Sequence, residues 1–324
     1  MTGAGSAQWS RRQMLVSAML AGVAAAPVRG AAFFGKGNDV GRPRLGVQLY
    51  PLSEAVAKDM GATFRALATM GYRTVETSGF HGKRPRELKA AADRAGLTIV
   101  SAHVQPQLRL AAGDRLLTDP DIGALAADLH ALGVKHVVMP LMLLPDGAIP
   151  VVDEHVLAAL IRAVSAFTVA DWQRSAAFLN RRGEALRREG LALSYHNHNM
   201  EFAPVEGTTG WDVLMSETDP ALVGFELDVG WATAAGLNPV DVLRRHPGRV
   251  RMLHVKDVDP VTKPNFIAQQ VSAPVGKGVV HWPELLHLAR EQGVTGYFVE
   301  QEPPFATNAL DAMAQSFAYL RGVK

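Results

Sequence analysis

The sequence predicts a single (β/α)8 barrel over residues 44–324, and three observations predict it. Eight short runs rich in β-branched and aromatic residues alternate with amphipathic helical stretches, and no Pro/Gly-rich linker long enough to separate domains interrupts them. Most helical stretches end on a glycine just ahead of the next run, at Gly71, Gly96, Gly133, Gly190, Gly248 and Gly293, where a left-handed residue closes a helix. Polar residues gather at the ends of the runs and leave their bodies apolar, as a barrel with its chemistry on the C-terminal rim requires. Such a barrel takes ~250 residues plus insertions, which this stretch supplies.

The first run, 45–50, leads straight into Pro51 and a helix with no Gly-rich phosphate loop, which sets aside an open doubly wound sheet. The second, 74–80, brings Glu76 to its end, and the third, 98–104, brings His103. The fourth, 136–141, is apolar through Val137-Val138-Met139-Pro140. The fifth, 191–198, carries His196 and His198, and the sixth, 223–231, carries Asp228 with Glu226 two residues before it. The seventh, 250–257, carries His254 and Lys256, and the eighth, 296–302, carries Glu300 and Glu302. Residues two apart on a strand share a face, so each of these pairs points one way. Residues 258–280 follow the seventh run with Pro260, Pro264, Pro274, Gly276 and Gly278, a loop length that in a compact barrel points to a lid.

Composition narrows the function. The net charge of +2 comes from 33 basic and 31 acidic residues, and 48% of the 324 residues are hydrophobic, which supports a large core and excludes disorder as the general state. No run of Lys and Arg interleaved with aromatics tracks a phosphate backbone, so nucleic acid is excluded as a partner. Cysteine is absent, which removes disulfides, thiolate metal sites, iron-sulfur clusters and Cys nucleophiles together. Any metal must be held by His, Asp and Glu. Arg181, Arg182, Arg187 and Arg188 read as a solvated helix surface, Trp172 and Phe178 as packing residues, and His130, His136, His155, His246, His281 and His287 as structural. Asp257, of opposite parity to Lys256, reads as a group that orients the following loop.

Residues 1–32 read as a twin-arginine signal peptide and 33–43 as a linker. Arg11-Arg12 precedes an apolar, Ala-rich stretch from Met14 to Val28 that is too short and too weakly apolar to span a membrane, with cleavage expected near Ala26 or Ala32. The expected partner is the twin-arginine export machinery, the expected location the periplasm, and the mature chain is expected to have no membrane span. A homo-oligomer is compatible with the sequence.

A lone His or Asp at a strand end is more often a satisfied loop or core group than a ligand. Convergence changes this, because strands five to eight are neighbours in a barrel and bring imidazole, carboxylate, imidazole and carboxylate to one point, a set able to surround a divalent ion. Uncompensated, the same groups would repel or stay unpaired in a partly dry pocket.

The motifs Ser101-Ala102-His103, Tyr195-His196-Asn197-His198 with Glu201-Phe202, Leu227-Asp228-Val229-Gly230-Trp231, His254-Val255-Lys256-Asp257, Gly276-Lys277-Gly278 and Phe298-Val299-Glu300 run over nearly the whole mature chain. At these residues the sequence resembles the xylose-isomerase-like superfamily of sugar isomerases, epimerases and dehydratases. The resemblance implies one divalent ion on an acidic residue of strand five, an Asp of strand six, a His of strand seven and a Glu of strand eight. Asp228, His254 and Glu300 match. Strand five departs from the pattern, with His196 as the ligand by register and His198 as a substrate contact or the alternate ligand. The ion is expected to be Mn2+, with Mg2+, Co2+ or Zn2+ as alternatives, since mixed imidazole and carboxylate donors accept several ions. His103, Trp231 and Glu76 complete the expected substrate contacts. The superfamily's apurinic-site endonucleases are excluded, because their additional His ligands fall where this chain has Trp231 and Val137-Val138-Met139-Pro140.

A metal bridging a carbonyl and an adjacent hydroxyl stabilises the enediolate formed on deprotonation. The expected activity is a metal-dependent isomerase or epimerase acting on a non-phosphorylated sugar or sugar derivative. The alternative is a lyase or dehydratase performing β-elimination on a keto-sugar or 3-keto-glycoside, favoured by His196, because metal-bound imidazole is a poor base. Glu300, or Lys256, Glu201 or Glu302 nearby, then serves proton transfer. A non-catalytic sugar-binding barrel is the third alternative.

Overall fold

The structure is a computed structural model that describes residues 44–109, 114–145, 147–148 and 156–323. The expected leader and linker lie outside the described residues, as does His155. Eight strands form the barrel: β1 (Leu45–Gln48), β2 (Thr74–Ser78), β3 (Thr98–His103), β4 (His136–Met139), β5 (Ala192–His196), β6 (Val223–Asp228), β7 (Val250–Val255) and β8 (Gly296–Val299). They close in sequential order, each parallel to its neighbours, with β8 pairing β1. The outer layer comprises α1 (Ser53–Met70), α2 (Pro85–Ala95), α3 (Ile122–Leu132), α4 (Val156–Val164), α5 (Val169–Arg188), α6 (Gly210–Glu217), α7 (Val229–Ala234), α8 (Pro239–Arg245), α9 (Trp282–Glu291) and α10 (Ala309–Leu320). Among the described residues no single helix is long and apolar enough to cross a membrane.

The glycines that close or follow the helices adopt the left-handed backbone their positions demand, with φ of 118° at Gly71, 75° at Gly96 and 89° at Gly133. Alternation divides the strands in two. Outward residues such as Val47, Leu193, Leu227, Leu253 and Val299 are fully or almost fully buried beneath the helices. Inward residues stack in layers. Val138, Met252 and Phe298 plug the interior, and they fit because Gly46 and Gly296 carry no side chain: a Cβ at Gly46 would sit 2.7 Å from the Phe298 ring, and one at Gly296 2.6 Å from Met252. On the C-terminal side of this plug the inward positions turn polar. Register sets Gln48 beside Glu76, His196 beside Glu226, and Asp228 beside His254.

All eight strands are where the sequence places them, but they end one to three residues sooner. Lys256, Glu300, Glu302 and His198 therefore lie on the βα loops, where strand alternation no longer governs direction. Trp231 lies in α7, because Asp228 ends β6 and its Oδ1 accepts from the Trp231 N–H at 2.8 Å, starting a helix at once. Glu76 closes no strand. It sits two residues inside β2, at the depth of Gln48.

Asp257 orients its loop as parity suggests. It accepts hydrogen bonds from the backbone N–H groups of Val258, Gly276 and Val280 and from Trp282 Nε1, at 2.8–3.1 Å. The same loop pairs Asp257–Val258 antiparallel with Ser272–Ala273. The Arg residues of α5 behave as a helix surface: Arg181, Arg187 and Arg188 are exposed and Arg182 lies over Phe178. Trp172 and Phe178 are buried packing residues.

Candidate metal centre and active site

The polar end of the barrel is a set of buried acids and bases in contact. Gln48 Nε2 donates to Glu76 Oε1 at 2.9 Å, and the same oxygen receives His254 Nε2 at 2.8 Å and lies 3.1 Å from His103 Nε2. Glu226 Oε2 lies 3.1 Å from His103 Nε2, 3.2 Å from His196 Nδ1 and 3.1 Å from His254 Nε2. Nearer the rim, Glu300 Oε2 accepts from His254 Nδ1 at 2.8 Å, and Lys256 Nζ stands 2.9 Å from Asp228 Oδ2, 3.0 Å from Glu300 Oε2 and 2.9 Å from Glu302 Oε1.

Burial opposes ionisation here, and opposite charge overrides it. The Glu226 and Glu300 carboxyls are held well below the usual range by the imidazoles and, at Glu300, by Lys256 first. Asp228 is lowered mainly by Lys256. His254 is raised well above its ordinary value by Glu226 and Glu300, and His103 is raised to about 9 by Glu76 and Glu226, in each case against desolvation. Lys256 is likewise raised by its three carboxylates. His196 and His198 go the other way: burial, then the neighbouring cations, keep both neutral.

Among the described residues, two groups of donors converge tightly enough for an ion, and they share His254. Asp228, His254 and Glu300 form one, and His103, His196, Glu226 and His254 the other. The first contains three of the four expected ligands. His196, the fourth, presents Nε2 4.0 Å from Asp228 Oδ2 while its Nδ1 faces Glu226. The donors fit a divalent cation: all are buried, and Asp228 Oδ2 receives no directed hydrogen bond although Lys256, His254 and His196 surround it. His196 belongs to the inner of these groups and His198 to neither; the His198 ring lies 5.1 Å from that of His196 and 5.6 Å from that of Trp231.

Two expectations are revised. Glu76 is expected from the sequence to contact substrate, yet it is fully buried and bonded to Gln48 and His254, because β2 runs two residues beyond it. Glu76 braces His254, while His103, also an expected substrate contact, stays 8% exposed with its ring stacked on that of His254 at 5.4 Å. Glu201, expected to aid proton transfer, commits one oxygen to β5 and the other to its own loop, accepting from Tyr195 Oη at 2.6 Å and from the His198 N–H at 2.9 Å, while burial pushes its carboxyl up to about 7. Glu226 and Gln48 are members of the site that sequence reasoning misses. Parity already puts Glu226 on the face of Asp228, but nothing in the sequence marks Gln48.

A model of the xylose isomerase-like TIM barrel matches residues 64–323. The chain belongs to that family. An inosose dehydratase of Clostridium botulinum is 25% identical over 269 residues, spanning 79% of this chain and 86% of the relative. Among solved structures, a sugar phosphate isomerase/epimerase of Parabacteroides distasonis superposes with a TM-score of 0.69 at 26% identity, covering 87% of this chain and 100% of the other. The apo 3-keto-D-glucoside 4-epimerase of E. coli shares the fold, with a TM-score of 0.59 at 18% identity over 86% of this chain and 99% of its own.

Proposed function

We propose that the protein is a lyase that removes a proton next to the carbonyl of a keto-sugar or related derivative and expels the substituent one carbon further on. The observation that carries this is the content of strand five. Epimerisation by two carboxylates needs one on each face of the substrate carbon, whereas here the strand-five position is the neutral His196, leaving Glu300 as the carboxylate base among the four ligands. Elimination needs one base and stabilisation of the charge that develops.

His196, Asp228, His254 and Glu300 would hold a divalent ion, which would supply Lewis-acid polarisation of the substrate carbonyl. Mn2+ is the foremost candidate, and Mg2+, Co2+ and Zn2+ suit the same donors. Glu300, kept ionised by Lys256 and His254, accepts the carbon-bound proton. Lys256, raised well above its ordinary value, holds a fixed positive charge between Asp228, Glu300 and Glu302. Trp231 and His198 frame the substrate's apolar face. The dehydratase name of the Clostridium relative supports elimination. The isomerase/epimerase name of the Parabacteroides structure supports the second reading, in which the same proton is returned to a neighbouring atom.

Product analysis with a panel of aldoses, ketoses and keto-glycosides, with manganese supplied, tests this. Release of water or an alcohol with an unsaturated product is expected, and stereoisomers alone would transfer the assignment to the isomerases. The Arg11-Arg12 leader supports export to the periplasm by the twin-arginine route, tested by changing both arginines to Lys and following the precursor.

A further inference from the structure

Beside the metal centre lies a pocket of about 460 Å3, walled by Trp231, Thr262, Lys263, Gln270, Val271 and Glu302 among others. Two of these residues hold polar atoms that are buried without a hydrogen-bond partner: Nε1 of Trp231, and both Nε2 and Oε1 of Gln270. A buried donor or acceptor left unmade is unfavourable, and a ligand seated against this wall can satisfy it. The wall is preformed. Asn199 Nδ2 donates to the backbone O and to Oδ1 of Asn265 at 2.9 Å, and the Ala268 N–H donates to Asn199 Oδ1 at 2.9 Å, fastening this segment to the loop after β5.

The pocket reaches the metal centre through two of its own residues. Glu302 accepts from Lys256 Nζ, the ammonium that stands against Asp228 and Glu300. Trp231 has the same ammonium 5.1 Å above its ring. The charged members of the wall are Lys263 and Glu302, one of each sign, so the lining carries no net charge and a neutral ligand suits it better than a phosphate.

We propose that this pocket is a second subsite that receives the leaving group of a glycosidic substrate, a neutral hydroxylated ring such as a hexose. An amide with a free donor and a free acceptor beside an indole face and an indole N–H is the chemistry that recognises a polyhydroxylated ring. The proposal rests on the lyase reading and narrows it: the substrate is a keto-glycoside in which the carbon bearing the glycosidic oxygen adjoins the carbon that loses its proton. The C–H bond breaks toward the base, a C=C bond forms, and the C–O bond breaks with its electron pair leaving on oxygen. That oxygen takes up one proton, so the products are an unsaturated keto-sugar and a free sugar, with no water or oxidant consumed.

The test compares two substrates and one direct ligand. Gln270→Ala is expected to raise KM about tenfold for a 3-keto-disaccharide and to leave the methyl 3-keto-glucoside unchanged. An equal effect on both substrates, or on neither, overturns the proposal. Independently of turnover, glucose is expected to bind the wild-type protein saturably by calorimetry, and at least tenfold more weakly in Gln270→Ala. Saturable glucose binding without turnover of either ketoside overturns the lyase reading and leaves the subsite standing. Absence of saturable binding, binding insensitive to Gln270→Ala, or tighter binding of glucose 6-phosphate than of glucose overturns the subsite.

Discussion

Glu76 and His254, 178 residues apart in sequence, meet inside the barrel through a 2.8 Å contact between Oε1 and Nε2. This bond fixes which imidazole nitrogen faces the rim: Nε2 is taken by Glu76, so Nδ1 is the atom that meets Glu300 at 2.8 Å and Asp228 at 3.6 Å. A carboxylate that holds the far nitrogen of a metal-binding His sets the ring's orientation and raises its basicity.

Glu76→Gln should therefore weaken divalent-ion binding roughly 10–100-fold while the barrel stays folded. Calorimetric titration with Mn2+ alongside circular dichroism checks this. An unchanged affinity would remove Glu76 from the support of His254.

Ion uptake should release a proton. His254 is raised well above its ordinary value and at neutral pH donates from both nitrogens, so an ion binding Nδ1 must displace that proton, and affinity should climb with pH up to the raised pKa. The dependence of binding enthalpy on buffer ionisation measures the proton count. One ion per chain is expected, lost in Asp228→Asn and kept in His103→Ala. The opposite pattern would move the ion to the inner group of His103, His196, Glu226 and His254.

Strand five can be dissected by two substitutions. His196→Ala should lower ion affinity, and His198→Ala should leave the ion in place and raise KM, because His198 faces Trp231. Restoring a carboxylate with His196→Glu should keep the ion and alter solvent deuterium incorporation next to the carbonyl. Exchange of the two alanine phenotypes would reverse the assignment.

Acid stability should depend on His136 at the N-terminal start of β4, which is buried against Ser194 Oγ at 2.8 Å. Burial lowers its pKa to about 4 from 6.5, so between these values the unfolded chain binds a proton that the folded chain refuses. Its stabilising contribution is whole above pH ~6.5 and declines as pH falls toward ~4, by a total on the order of 3 kcal/mol. In urea unfolding at pH 7.5 and pH 4.5, His136→Asn should lose less stability than the wild type between the two. Equal losses would place the proton elsewhere.

The barrel is legible in the sequence because period, glycine punctuation and the restriction of polar residues to strand ends are all local. Asp228, His254 and Glu300 are legible for the same reason. Glu76 and Gln48 are not, because their role depends on β1–β2 register and on how far each strand runs beyond its last inward residue. A bulge between Val75 and Glu76 shifts the β2–β3 register at this point. Trp231 reads as the end of a strand because Asp228 ends β6 and caps α7 at one residue, a double use that leaves no spacer to mark the boundary.

Asp257 ties residues 258, 276, 280 and 282 to one buried carboxylate. The stretch between the first two of these anchors, which includes Thr262, Lys263 and Gln270, is thus a cassette clipped at both ends to the scaffold. Phe266, Val275 and Asn265 tie the segment to the barrel, whereas an exposed side chain such as Lys263 can be exchanged without touching the core, so substrate preference can evolve at such positions separately from the chemistry.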